Sequence, residues 1–209
     1  MDADNAPDEI TITYDGDGDL SALSTDETVA TVALEGTKLT VTPKAAGKTT
    51  IKVTSSETDT YLEAIKTYNL TVNPAWVAAE LPFAFDGGKA DINPANGIKH
   101  EGLGSDNSES PKLKFDGTGD NVIIKIASAP VQLRYTIKGN TFSGGTFDVQ
   151  ESKDGETYTS VASYTELGNA NEEVKTPLAT SRYFKFVYTS KSNGNVSLGA
   201  IKIYNVLPK

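Results

Sequence analysis

The 209-residue chain is 37% apolar, carries a formal net charge of −9 and contains one histidine and no cysteine. An acidic balance argues against nucleic acid as a partner, because phosphate binding needs a basic surface. The missing cysteine removes disulfides, thiolate nucleophiles and Cys-ligated zinc together, and no apolar run approaches the about 18 residues of a membrane-spanning helix.

The length fits one large domain or two ordinary ones, and the charge divides them. Residues 1–73 hold eight Asp and five Glu against five Lys, a net of −8, whereas residues 74–209 are nearly balanced. Abundant Thr, Ser, Asn, Gly and Asp favour short strands joined by turns. No window keeps an apolar i, i+3, i+4, i+7 face over three turns, as a long amphipathic helix requires. The lead "MDADNAPDEI" has no basic segment followed by an apolar core. Met1 before an acidic, proline-containing lead reads as an expression start on a mature or excised segment.

In chain order, the first half predicts strands at 10–14 (ITITY), 28–34 (TVATVAL), 38–43 (KLTVTP), 48–55 (KTTIKVTS) and 68–73 (YNLTVN). Asp15-Gly16, Glu35-Gly36 and Ala46-Gly47 mark the turns between them. Short strands at intervals of roughly ten residues describe a β-sandwich. Its expected core is Val29, Val32, Leu34, Leu39, Val41, Ile51 and Val53. "STDETVATVALEGTKLTVTPKAAGKTTIKVTS" resembles the bacterial Ig-like domains of the BIG2 type. Ser24-Thr25-Asp26, Val29-Ala30-Thr31-Val32 and Ala45-Ala46-Gly47 carry the pattern over most of residues 10–73. Gly47 is expected to supply a positive φ before the next strand. The resemblance implies a spacer or adhesive repeat on an exported protein.

"NPAWVAAELP", residues 73–82, has a proline near each end and no alternation, which places a linker at 74–80 between domains at 1–73 and 81–209. Trp76, the only tryptophan, has two readings: packing at the joint between domains, or a platform for a sugar ring.

The second half predicts strands at 81–85, 112–115, 121–126, 131–138, 145–151, 157–164, 183–189 and 196–204, the strand count of a jelly roll. Leu133, Tyr135 and Ile137 share one face of their strand, as do Phe184, Phe186 and Tyr188 of theirs. Lys153-Asp154-Gly155, between two alternating runs, is a hairpin signal. "FDVQESKDGETYTSVASY", "SRYFKFVYT" and "NVSLGAIKIYNV" resemble, in order, three strands of the discoidin-like and galactose-binding-like domains. That resemblance implies a galactose-binding-like jelly roll, all-β like the first domain, and a carbohydrate-binding module attached to exported enzymes or adhesins. Two positions depart from it. Tyr158 stands where the family has tryptophan, and Gly199-Ala200 where relatives often place a glutamate that helps hold calcium. No cofactor is called for, and calcium is the one ion left open.

Catalytic chemistry finds little support. A solitary His100 cannot build a multi-His metal site, and no serine lies in a Gly-x-Ser-x-Gly elbow. Carboxylates are plentiful, but nothing selects an acid pair. "YDGDGDLSALSTDE", residues 14–27, lacks the glycine and glutamate an EF-hand needs at its sixth and twelfth positions, so it reads as an acidic turn. "FDGTGDN", residues 115–121, reads the same way.

The segment 85–113 is a long polar loop, and such loops are usually functional or disordered. Asp86, Lys89, Asn93, Asn96, His100, Asp106 and Asn107 offer hydrogen-bonding groups for sugar hydroxyls. An aromatic face could come from Phe83, Phe85, Phe142 or Tyr158. Phe83 and Phe85 read first as core, whereas Phe142 in "KGNTFSGG" reads as an exposed loop aromatic. Asp154 and Glu156 flank the hairpin turn. The expected ligand set is therefore Asp86, Lys89, Asn93, His100, Asp106, Asn107, Phe142 and Tyr158. The expected function is noncatalytic binding of a glycan or polysaccharide by the second domain of a secreted, periplasmic or cell-surface protein. The first domain would act as a spacer, and an appended catalytic domain is a further expected partner. The alternative is a structural or protein-interaction module of a larger secreted enzyme or adhesin.

Overall fold

The computed structural model describes residues 1–208 and is all-β; among these residues the only helical pieces are two 3₁₀ turns, Lys89–Asp91 and Pro94–Asn96. The chain forms two compact units, the first Met1–Ala75 and the second beginning at Trp76.

The first unit has six strands: β1 (Asp8–Thr11), β2 (Leu20–Ser24), β3 (Ala30–Glu35), β4 (Lys38–Pro43), β5 (Gly47–Ser55) and β6 (Ala64–Val72). They make two antiparallel sheets, β1-β4-β3 and β2-β5-β6, an Ig-like sandwich. Val29, Ala30, Leu39, Val41, Ile51, Val53 and Val72 form its core. β2 lacks an apolar face in the sequence, because "LSALS" puts a serine on each phase, Ser24 inward with Leu20 and Ala22, and Ser21 outward with Leu23. The buried Ser24 is satisfied there by the Thr49 hydroxyl at 2.9 Å. Gly47 does not have a positive φ, contrary to the expectation. Its lack of a side chain instead makes room for Val29, whose Cγ2 lies 2.6 Å from where a Cβ would sit.

The second unit has nine strands: β7 (Phe83–Phe85), β8 (Ile98–Glu101), β9 (Leu113–Phe115), β10 (Asn121–Lys125), β11 (Gln132–Ser152), β12 (Thr159–Glu166), β13 (Asn171–Lys175), β14 (Tyr183–Ser190) and β15 (Asn193–Tyr204). The expected strands 131–138 and 145–151 are one continuous strand, β11. Its first half pairs with β13 and β15, and its second half with β12 and β14. The bend between the halves is made where Thr141 and Gly144 take positive φ and the register with β15 slips between Asn140 and Ser143. One bent strand thus serves both layers of a jelly-roll sandwich. One layer is β12-β11-β14-β10-β8; the other is built from β13, β11 and β15, with β7 and β9 alongside β15.

The inward alternation runs as expected along Leu133, Tyr135 and Ile137 and along Phe184, Phe186 and Tyr188, all at most 1% exposed. Most of the segment assigned to a linker belongs to this unit. The Ala79 amide donates to the Lys125 carbonyl, the Ala127 amide to the Ala79 carbonyl and the Val77 amide to the Pro94 carbonyl.

Candidate functional site

The long loop at 85–113 is not an open surface of free polar groups. It folds through the two 3₁₀ turns and β8, and Lys89, Asp91, Asn93, Asp106 and Asn107 bond the loop's own backbone. The Asp106 carboxylate accepts the Lys89 amide at 2.8 Å, and the Lys89 ammonium donates to the Gly104 carbonyl. The Asn93 carbonyl caps Ala95. The Asn107 amide donates to the Pro111 carbonyl and to the Ser197 hydroxyl, and Asp86 accepts the Ala200 amide. Asp86, Lys89, Asp106 and Asn107 are thus drawn into one loop framework, with Asp86 and Asn107 tying it to β15. Asn93 serves a separate turn. Asn107, Ser110, Pro111, Lys138, Asn140 and Ser197 bound a shallow hollow of about 170 Å³ without an aromatic wall.

His100 lies in β8 opposite Val122, with Nδ1 buried and unpartnered. Burial, with the Lys89 charge adding to it, holds its pKa below the usual 6.5. It is a packed imidazole and not a loop ligand.

Phe142 corrects the expectation most clearly. It is 5% exposed and packs on Tyr188, ring centroids 5.6 Å apart. The phase slip at the β11 bend turns it into the core. Phe83 is also buried, and Phe85 packs against the same core.

The hairpin around Asp154-Gly155 is built tightly. Gly155 has φ +82°, and Asp154 Oδ1 accepts the Glu156 and Thr157 amides, both at 2.9 Å. These backbone bonds, with the Ser152 hydroxyl, lower the Asp154 pKa to about 2. Asp154 is therefore the cap of the turn. The turn also shapes its surroundings, because the missing Gly155 side chain lets the Tyr183 ring lie against the backbone, 3.0 Å from where a Cβ would be.

From Tyr183 a second surface comes into view that the sequence reading did not assemble. The outward side of the five-stranded layer sets residues in rows by the register, with Ser152, Asn121 and Val187 buried among them. Lys125, Tyr183 and Ser152 face one another across β10, β14 and β11. The next row is Lys99, Ile123, Lys185 and Gln150, and the third is Glu101, Asn121, Val187 and Asp148. Trp76 stands edge-on to Tyr183, centroids 5.6 Å apart, with the Lys99 ammonium 3.9 Å and the Lys125 ammonium 5.5 Å from its ring centre. The Lys185 ammonium lies 5.4 Å from the Tyr158 ring. Trp76, Tyr158 and Tyr183 are each half-buried, and burial, ahead of the nearby Tyr183 and Asp154, pushes the Tyr158 pKa up to about 12. A signal for this surface was present in "GIKHE", "VIIKI" and "YFKFV". Each places a lysine on the outward phase of an apolar strand.

Among the described residues no three His, Asp or Glu side chains are grouped as a metal-ligand set. In the acidic segment 14–27, residues 14–18 fold back on the Tyr14 hydroxyl, which accepts the Gly18 amide at 2.8 Å and bonds Ser55 Oγ, and residues 20–24 are β2. At 115–121, Asp120 accepts the Asp116 and Gly117 amides and closes a turn. A hollow of about 400 Å³ lies in the first unit between its sheets and is lined mainly by apolar groups such as Ile10, Leu39, Ile51 and Tyr68.

Residues 8–64 match the bacterial Ig-like domain (group 2) family. No curated protein matches the chain. Among solved structures, a CBM29-2 mutant made to probe ligand recognition by family 29 carbohydrate-binding modules is 12% identical, with a TM-score of 0.43 over 57% of this chain and 89% of that one. CBM32-1 from a family 31 glycoside hydrolase of Clostridium perfringens is 19% identical, with a TM-score of 0.36 over 52% and 94%. The K1 cleaved adhesin domain of Lys-gingipain from Porphyromonas gingivalis W83 is 11% identical, with a TM-score of 0.36 over 52% and 73%.

Proposed function

We propose that the second unit binds glycans noncatalytically, through the solvent face of its five-stranded layer. The Ig-like unit serves as spacer on an extracellular bacterial protein. The observation that carries this reading is the set of half-buried aromatics, Trp76, Tyr183 and Tyr158, around Lys99, Lys125, Lys185 and Gln150. Sugar recognition needs both parts. Aromatic rings cover the apolar side of a pyranose, and amide and ammonium groups hold its hydroxyls. Tyr183, Gln150 and the three lysines stand on the sheet, with Trp76 and Tyr158 packed beside them from flanking segments. A regular sheet holds its groups more rigidly than a loop does, which lowers the ordering cost of binding.

The extracellular placement rests on the bacterial Ig-like match at residues 8–64, and no helix among the described residues is long and apolar enough to cross a membrane. A shallow face of this kind binds weakly alone and gains through repetition or attachment to an enzyme.

A glycan array probed with the whole chain, followed by calorimetric titration of each hit, tests the reading. Trp76→Ala and Tyr158→Ala should each weaken binding about three- to tenfold, the range of one aromatic contact. Asn93→Ala should leave it unchanged. Binding that survives both aromatic replacements would move the site off this face. A folded chain that binds no glycan would favour a structural or protein-interaction module.

A further inference from the structure

We infer that the glycan held by this face is anionic, a polysaccharide whose pyranose units carry carboxylate or sulfate groups. The inference rests on the glycan reading above and adds the class of sugar.

Three lysines on three adjacent strands point the same way. Lys99 and Lys185 lie in one row on either side of Ile123, roughly 10 Å apart for two strand spacings. Lys125 is in the neighbouring row beside Tyr183. Among the described residues none of the three is in an ion pair, although other lysines of the chain are. Their ammonium groups rest instead on neutral partners: Lys99 over the Trp76 ring, Lys185 near the Tyr158 ring, and Lys125 on the Trp76 carbonyl at 3.1 Å. A ring quadrupole or a carbonyl orients an ammonium without cancelling its charge.

The acids of the same face, Glu101 and Asp148, lie in the third row, Glu101 on the edge strand β8 and Asp148 on β11, and Asp148 already accepts the Thr189 hydroxyl. One end of the face is therefore cationic in a chain whose net charge is −9. A neutral sugar would leave these charges unanswered, whereas an acid group beside a stacked ring answers them. Nucleic acid also combines anions with stacking rings. It is disfavoured because three lysines are few for a phosphate backbone and the whole chain would repel one.

The test titrates the whole chain calorimetrically with an oligogalacturonate, a sulfated galactan oligosaccharide, a neutral galactan oligosaccharide and a single-stranded oligonucleotide. The expected result is at least about tenfold tighter binding of one acidic sugar than of the neutral one at about 50 mM salt. That preference should shrink toward about 500 mM as the charges are screened. The oligogalacturonate and sulfated arms identify which acid group is read. Lys99→Gln and Lys185→Gln should each weaken acidic-sugar binding about threefold and leave the melting temperature in place, while Lys202→Gln, outside the face, should change nothing. Equal binding of neutral and acidic sugars would overturn the inference and leave the glycan reading standing. Binding of no sugar would overturn both. An oligonucleotide preferred over every sugar would overturn the inference in favour of a phosphate ligand.

Discussion

Replacing Phe142 with alanine separates the two roles this residue can play. Its ring is 5% exposed, belongs to the central cluster of the second unit and packs on Tyr188 at 5.6 Å. Truncating a buried phenylalanine costs about 3–5 kcal/mol, through lost transfer energy and the cavity left behind. The lower end applies here, about 3 kcal/mol, because the exposed Thr141 and Ser143 flank the site and let the bend relax. For a unit of this size that corresponds to a fall of about 10 °C in the melting transition. Phe142→Leu should lose about a third as much, since most of the volume is kept. The assay is thermal unfolding followed by circular dichroism, with glycan affinity measured well below the transition. Stability should fall and affinity should hold. A variant that melts within about 2 °C of the parent and no longer binds sugar would refute this placement and restore Phe142 as an exposed platform.

Other replacements probe the hairpin and the His100 imidazole. Gly155→Ala forces a side chain into left-handed backbone at φ +82° and toward the Tyr183 ring. It should cost about 1–2 kcal/mol, measured by chemical denaturation, and should also weaken glycan binding by displacing Tyr183. His100 has a folded pKa below its usual 6.5, so the unfolded chain takes up its proton first as pH falls. Stability should therefore decline as pH drops from about 6.5 toward the lowered folded value. His100→Gln should flatten that part of the pH profile, read from melting temperatures between about pH 7 and pH 5. An unchanged profile would show that the imidazole is not desolvated.

The strands were legible where alternation was strong. Leu133, Tyr135 and Ile137, and Phe184, Phe186 and Tyr188, identified the core of the second unit because β periodicity leaves one face apolar. The two expected strands on either side of "KGNTFSGG" are one strand because Gly and Asn signal turns locally, while the pairing of β11 with β15 continues through the bend. The bulge there also changes the inward phase, which is why Phe142 was misplaced. β13 was missed because its edge position leaves "NEEVK" mostly exposed, so no apolar face marks it.

At the candidate site, hydrogen-bonding residue types suggested ligands, but the loop uses Lys89, Asn93, Asp106 and Asn107 to fold itself. Sequence shows which groups can bond and not whether the backbone already occupies them. The lysine face was spread over strands up to 86 positions apart, Lys99 to Lys185, and only the sheet register brings it together. Trp76 and Tyr158 were each noticed singly; Tyr183 is what joins them.

Trp76 is the only tryptophan in the chain, so its emission reports on the proposed face without labelling. The most direct measurement is a fluorescence titration of the whole chain with an acidic oligosaccharide, exciting tryptophan selectively. The account requires a saturable change in Trp76 emission that yields the same Kd as calorimetry and is weakened in Lys99→Gln. Binding seen by calorimetry with Trp76 emission unchanged would place the sugar elsewhere and contradict the account.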